Sequence, residues 1–124
     1  MTYKQSLQTR YVQRFPVFPL DDADRNGLTP LHAAAENGNA RVIRNLIADG
    51  AAVDAKDAQG RTPLLIAVRQ RHLKVAAELI TAGANINAET RNGWTALSLA
   101  VKSGNPQMIE LIARTAGVTG LSKR

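Results

Sequence analysis

The stretch Asp24-Arg-Asn-Gly-Leu-Thr-Pro-Leu-His-Ala-Ala-Ala35 decides the fold, because it returns twice along the chain. The second copy is Asp57-Ala-Gln-Gly-Arg-Thr-Pro-Leu-Leu-Ile-Ala-Val68, and the third, less similar copy is Thr90-Arg-Asn-Gly-Trp-Thr-Ala-Leu-Ser-Leu-Ala-Val101. The spacing is 33 residues, and twelve positions are identical between 24–56 and 57–89, where chance would give about two or three. A period of this length predicts a solenoid of stacked units.

Each unit has the pattern of a tight turn followed by two short helices. A glycine within a polar run predicts a turn residue with positive φ. The following pair, Thr29-Pro30 in the first unit, suits the N-cap and first position of a helix. Apolar residues then recur at helical spacing and predict two amphipathic helices; in the first unit they are Leu31, Ala34 and Ala35, then Val42, Ile43, Leu46 and Ile47.

The composition narrows the possible functions. The chain has 124 residues, no cysteine and a formal charge of +6. One domain of this length can bury a core, and disulfides, thiolate catalysis and Cys-ligated metals are excluded. The excess of basic residues favours an acidic partner: nucleic acid, an anionic membrane surface or an acidic protein.

No stretch approaches the ~18 apolar residues of a spanning helix, so we expect no membrane insertion and a cytoplasmic location.

These motifs resemble the ankyrin repeat family, through Asp24-x-x-Gly27-x-Thr-Pro-Leu-His32-x-Ala-Ala35 and the later Gly50-Ala51-x-Val53-Asp54-Ala55. The resemblance implies an all-α fold, an ankyrin-repeat solenoid of three helix-turn-helix units with projecting β-hairpin finger loops. It places the repeat domain at 24–122, divided into 24–56, 57–89 and 90–122, with a basic tail at 123–124.

Departures from the family pattern affect single positions. Leu65 stands where the motif has histidine, Arg71 where it has a helix-ending glycine, and Ala96 where it has proline. Leu65 and Arg71 put the local hydrogen bonding and one C-cap in doubt, without affecting the overall fold.

Residues 1–23 form a separate segment. Leu7, Tyr11, Val12 and Phe15 lie on one helical face, and Pro16 ends that pattern. We expect a capping helix over 4–15, a half-repeat whose aromatic side chains cover the first unit. The alternative is a basic arm that folds on a partner.

The chemically suggestive residues have structural explanations. The resemblance places His32 in a turn where it hydrogen-bonds locally, and we expect His72 to be solvent-exposed at a helix junction. The run from Asp22 to Gly27 resembles the start of a calcium loop, but Ala33 stands where the bidentate acid is needed. The basic run 69–74 falls between two helices. We therefore predict no enzyme activity, no metal and no cofactor.

The resemblance also implies where a partner binds, because family members use their finger tips and the concave side of the first helix. Those positions carry five basic residues and one acid, Glu36. They include Ser103 and the ten residues that we assign to partner binding: Arg25, Asn26, Leu28, Gln59, Arg61, Arg69, Arg91, Asn92, Trp94 and Lys102. Trp and Arg are the residue types most enriched in binding hot spots.

Three function classes remain. The first is a non-enzymatic, monomeric module that binds an acidic protein surface as an inhibitor, regulator or adaptor. The second is a nucleic-acid-binding accessory protein that uses the same basic face, although Trp94 offers the only aromatic ring of the repeats for base stacking. The third is self-association through Trp94 and the aromatic N-terminus.

Overall fold

The computed structural model describes residues 22–116. This part of the chain contains six α-helices and no β-strand. The helices are α1 Pro30–Asn37, α2 Ala40–Ala48, α3 Pro63–Arg69, α4 Leu73–Thr81, α5 Ala96–Ser103 and α6 Pro106–Thr115. They form three consecutive helix–turn–helix pairs, so the predicted all-α architecture is confirmed here. The predicted capping helix over 4–15 and the tail 123–124 lie outside the described residues.

A threonine hydroxyl begins the first helix of each pair. It accepts the backbone N–H three residues further on, at 3.1 to 3.3 Å; the three are Thr29, Thr62 and Thr95. The side chains of His32 and Ser98 accept the threonine N–H in return, at 3.0 and 2.8 Å, and complete capping boxes. Leu65 has no acceptor atom at this position, so α3 begins with the threonine bond alone.

Arg71 takes over the backbone conformation of the glycine it replaces. The equivalent residues Gly38 and Gly104 end α1 and α5 with φ of 74° and 71°, and Arg71 has φ of 66°. A left-handed conformation costs a residue with a Cβ about 1–2 kcal/mol. The turn between α3 and α4 is therefore kept at the expense of backbone strain.

The helices stack in two rows. Helices α1, α3 and α5 pack side by side in an inner row, and α2, α4 and α6 form an outer row behind it. Because α3 has a neighbour on both sides, all its residues from Pro63 to Val68 are buried. Val68 is fully buried, whereas its repeat equivalent Val101 is 57% exposed, since no described helix packs beyond α5.

A finger loop precedes each inner helix; the fingers are residues 24–28, 57–61 and 90–94. In each finger the N–H of the first residue donates to the carbonyl four residues later, at 2.9 to 3.0 Å. Neighbouring fingers are also joined, because Ala58 N–H donates to Asn26 O at 2.9 Å and Arg91 N–H donates to Gln59 O at 3.0 Å. The fingers are tight turns without strands among the described residues, so the expected β-hairpins are not confirmed.

Gly60 of the second finger has two reasons to lack a side chain. Gly60 has φ of 80°, and a Cβ added there would lie 3.0 Å from Arg91 N. A larger residue would therefore both strain the turn and push the second and third fingers apart.

Candidate binding cleft

A cleft of about 930 Å³ lies between the second and third fingers and residues of α3 and α5. Seven of the ten residues that the sequence assigned to partner binding line it: Gln59, Arg61, Arg69, Arg91, Asn92, Trp94 and Lys102. Arg25, Asn26 and Leu28 of the first finger are not among its lining residues. The candidate positions of the second and third repeats therefore form one concave surface.

Four further residues line the cleft: Leu65, Thr90, Leu99 and Ser103. Leu65 and Leu99 are the apolar members, and they were missed because apolar residues on a helix are expected in the core. Leu65 could have been identified from the sequence, since it replaces the polar residue of the repeat motif. Nothing in the sequence distinguishes Leu99 or Thr90 as a cleft residue.

Trp94 lines the cleft and remains 37% exposed. Its backbone N–H donates to Thr90 Oγ1 at 3.1 Å, and its backbone carbonyl accepts the N–H of Thr90 at 2.9 Å. The ammonium of Lys102 lies 5.1 Å from the ring centroid, within the range of a cation–π interaction. The finger turn and Lys102 thus orient a large aromatic side chain outside the hydrophobic core.

Arg61 is paired within its own finger. Its Nε donates to Asp57 Oδ2 at 2.7 Å, and its backbone N–H donates to Asp57 Oδ1 at 2.8 Å. The N–H of Gln59 also donates to Oδ1, at 2.9 Å. Asp57 therefore closes the second finger, and the charge of Arg61 is largely compensated inside the protein.

The pKa of Asp57 reflects this arrangement. Burial acts to raise it, and the hydrogen bonds from the backbone and side chain of Arg61 and from Gln59 N–H act to lower it, together with the Arg61 charge. The lowering effects prevail, so the pKa of Asp57 lies below its usual value. The carboxylate form is the one that the finger stabilises.

The cations of the cleft differ in what they already bind. Arg91 donates from Nη1 to Ala58 O at 3.1 Å, which joins the second and third fingers a second time. Arg69 is exposed and makes no side-chain hydrogen bond or ion pair within residues 22–116. Lys102 contacts Trp94 and forms no ion pair with the described residues. Arg69 and Lys102 are the cations most available to a ligand.

His32 connects the first repeat to the second finger. It is fully buried, its Nδ1 accepts the N–H of Thr29 at 3.0 Å, and its Nε2 lies 2.8 Å from Arg61 O. Because Nδ1 accepts, the ring proton is on Nε2 and donates to the Arg61 carbonyl. Both ring nitrogens are thus occupied by structural bonds.

His72 is not solvent-exposed as the sequence predicted. It is half-buried, its Nε2 lies 3.1 Å from Glu36 O, and a Cβ on Gly38 would lie 2.7 Å from its ring. The ring packs into the space that the glycine leaves open, which a pattern read within one repeat could not show.

The acidic run of the first finger serves a turn. Asp24 Oδ1 accepts the N–H of Asn26 at 2.8 Å and of Leu28 at 3.0 Å. The bonds from Leu28 and Asn26 lower the pKa of this carboxyl. Within residues 22–116, no group of three or more histidine, aspartate or glutamate side chains is placed to hold a metal ion.

The helices, fingers and repeat spacing agree with the comparisons to known families. No helix in the described part of the chain has the length and apolar character needed to cross a membrane. No curated protein sequence matches the chain at a significant level. A family model for ankyrin repeats in three copies matches residues 9–90, and a model for ankyrin repeats in many copies matches residues 68–113. The chain therefore belongs to the ankyrin repeat family, whose members are generally protein–protein interaction modules.

Proposed function

We propose that this protein is a non-enzymatic module that binds an acidic surface of another protein through the cleft between its second and third fingers. The observation that supports this most directly is Trp94, held partly exposed beside Lys102 in the lining of a basic concavity. Tryptophan, tyrosine and arginine side chains that become fully desolvated on binding contribute most of the binding free energy in many interfaces.

The charge of the cleft supports the acidic nature of the partner. Its lining contains four basic residues and no acidic one: Arg61, Arg69, Arg91 and Lys102 carry the charge. Complementary charge raises the association rate and selects among partners more than it raises affinity. We therefore expect binding that weakens moderately with salt.

The test needs a purified partner. A photoreactive amino acid at Asn92, on the exposed third finger, would crosslink the partner in extracts of the source cell so that it can be identified and purified. Trp94→Ala should then weaken its binding about tenfold or more while leaving the melting temperature nearly unchanged. Val101→Ala is the matched control, because Val101 is exposed and does not line the cleft. Equal effects of both variants, or none from Trp94→Ala, would contradict the proposal.

Nucleic acid is the second candidate, favoured by the basic lining of the cleft. Random single-stranded and duplex oligonucleotides distinguish it from a protein partner. If they bind with an affinity that falls steeply as salt rises, phosphate contacts dominate and the nucleic-acid function replaces the one proposed.

We further propose that binding inhibits or regulates the partner by covering part of its surface. An adaptor would need a second, independent binding surface. Titration with the purified partner separates the two roles: saturation at equal amounts with loss of the partner's activity supports inhibition, whereas a ternary complex with a third protein supports an adaptor.

The repeat boundaries 24–56, 57–89 and 90–122, and a half-repeat within 1–23, remain part of the proposal. The family match that begins at residue 9 supports a half-repeat before the first finger.

A further inference from the structure

The basic residues of the cleft are not equivalent as anion ligands. Arg61 is compensated by Asp57, and Arg91 already donates to Ala58 O. Arg69 and Lys102 lie on the helical wall, and each occupies the same position of its repeat, 33 residues apart. An incoming anion therefore meets Arg69 and Lys102 without first breaking an ion pair.

The wall that carries these two cations is continuous. Arg69 is the last residue of α3, and Lys102 is in the last turn of α5, which packs directly against α3. Axes of packed helices lie about 8–10 Å apart, so two long side chains on neighbouring helices can reach one carboxylate. The geometry favours a single acidic group between Arg69 and Lys102.

At the repeat position of Arg69 and Lys102, the first repeat has an acidic residue. Glu36 occupies the position equivalent to Arg69, and its carboxylate accepts a hydrogen bond from the side chain of Gln70. An anion is therefore repelled next to α1 and attracted next to α3 and α5. This asymmetry limits the acidic part of a ligand to the second and third repeats.

The same cleft has an apolar part. Leu65 is 2% exposed, Leu99 is half-buried, and both line the cleft together with the ring of Trp94. Leu65 stands where the first repeat has His32 and the third has Ser98, so the second repeat has an apolar side chain in place of a polar capping group. An apolar group of a ligand can be buried here beside the cations.

We infer that the cleft binds a peptide segment in which a carboxylate side chain lies next to an apolar side chain. The carboxylate binds between Arg69 and Lys102, and the apolar side chain contacts Leu99 and Trp94. This inference rests on the proposed protein-binding function and adds the chemistry of the recognised segment. It also removes Arg61 from the charges that recognise the partner.

Three labelled synthetic peptides of equal length test the chemistry: alternating Glu and Leu, alternating Glu and Ser, and alternating Lys and Leu. Fluorescence anisotropy of each label measures binding. Trp94 is the single tryptophan of the chain, so its emission reports whether the peptide enters the cleft. We expect saturable binding of the Glu–Leu peptide below about 1 mM. The Glu–Ser peptide should bind about tenfold more weakly, and the Lys–Leu peptide should not bind.

Substitutions in the cleft test where the carboxylate of the peptide binds. Arg69→Ala and Lys102→Ala should each weaken the binding of the Glu–Leu peptide about three- to fivefold. The double variant should weaken it roughly tenfold. Arg41→Ala is the control, because Arg41 is an exposed arginine of α2 outside the cleft. An equal effect of Arg41→Ala, or no binding of the Glu–Leu peptide, overturns the inference.

The two proposals can fail separately. In one outcome, Trp94→Ala abolishes binding of the purified partner, whereas Arg69→Ala and Lys102→Ala bind it like the wild type. The protein-binding function then stands, and the inferred carboxylate position is wrong. If Trp94→Ala has no effect on the partner, the cleft is not the binding site and both fail.

Discussion

At the scale of single residues, the role of Arg61 shows how a side chain that lines a cleft can serve the fold. Its guanidinium donates to the Asp57 carboxylate, and its backbone carbonyl accepts the Nε2–H of His32. Its backbone N–H also donates to Asp57 and closes the second finger. The bond from His32 connects the first repeat to the second finger, and the bonds to Asp57 lie within that finger. Substituting Arg61 would remove the guanidinium–Asp57 pair and so change stability and binding together, which makes Trp94, Arg69 and Lys102 better probes of the cleft.

Asp57→Asn is expected to lower the free energy of unfolding by about 1–3 kcal/mol. The Asp57 side chain is only 2% exposed, and an amide NH₂ would face the N–H of Arg61 Nε, donor against donor. Urea unfolding followed by circular dichroism measures the change. The control Asp49→Asn replaces an exposed aspartate and should stay within about 0.5 kcal/mol of the wild type.

The pH dependence gives a second readout of the same substitution. Because the folded-state pKa of Asp57 is lowered, its contribution is present above the unfolded-state pKa of about 4 and is lost as pH falls through the folded value. Asp57→Asn should therefore destabilise less at pH 3 than at pH 7. An equal effect at both pH values would contradict the role of the charged form.

At the scale of elements, the end of α3 shows a turn imposed by its neighbours. Arg71 is left-handed because the chain must turn back into α4 as it does after Gly38 and Gly104. Its N–H donates to Val68 O at 3.1 Å, which continues the helix ending. The stacked helices on both sides of α3 provide the packing energy that offsets this strain.

Arg71→Gly is expected to stabilise the protein by about 0.5–1 kcal/mol, the relieved strain less the extra freedom of glycine in the unfolded chain. Thermal and urea unfolding measure the gain. The same exchange in a right-handed helix, Arg41→Gly in α2, should destabilise by up to about 1 kcal/mol. A loss of stability in Arg71→Gly would show that the arginine side chain makes a contribution larger than the strain.

At the scale of the whole molecule, the described repeats differ in their surroundings. The second repeat is packed on both sides, whereas the third has Val101 exposed on its outer side. Stability in such arrays is close to a sum of repeat and interface contributions, and terminal units open first.

Native-state hydrogen exchange should therefore find the amides of α3 more protected than those of α5. The two helices start alike, with Thr62 and Thr95 as N-caps, so their difference reports the neighbouring repeats. Mass spectrometry after peptic cleavage, or NMR, resolves the two segments. Equal protection would mean that residues 22–116 open as one cooperative unit.

The sequence by itself determined the repeat and the helices. A period of 33 residues, a Thr-Pro start and apolar residues at helical spacing are local signals, and each acts within one unit. The ten candidate residues came from the family resemblance, and seven of them line one cleft in the structure.

Only the tertiary structure decided which of those residues are free to bind. The Arg61–Asp57 pair depends on the backbone of a finger, and the Lys102–Trp94 contact depends on how that finger lies against α5. Leu65 borders the cleft but is only 2% exposed, because α3 packs against both α1 and α5. Distances between side chains of different elements depend on stacking and turn geometry, and the type of residue at a position does not contain that information.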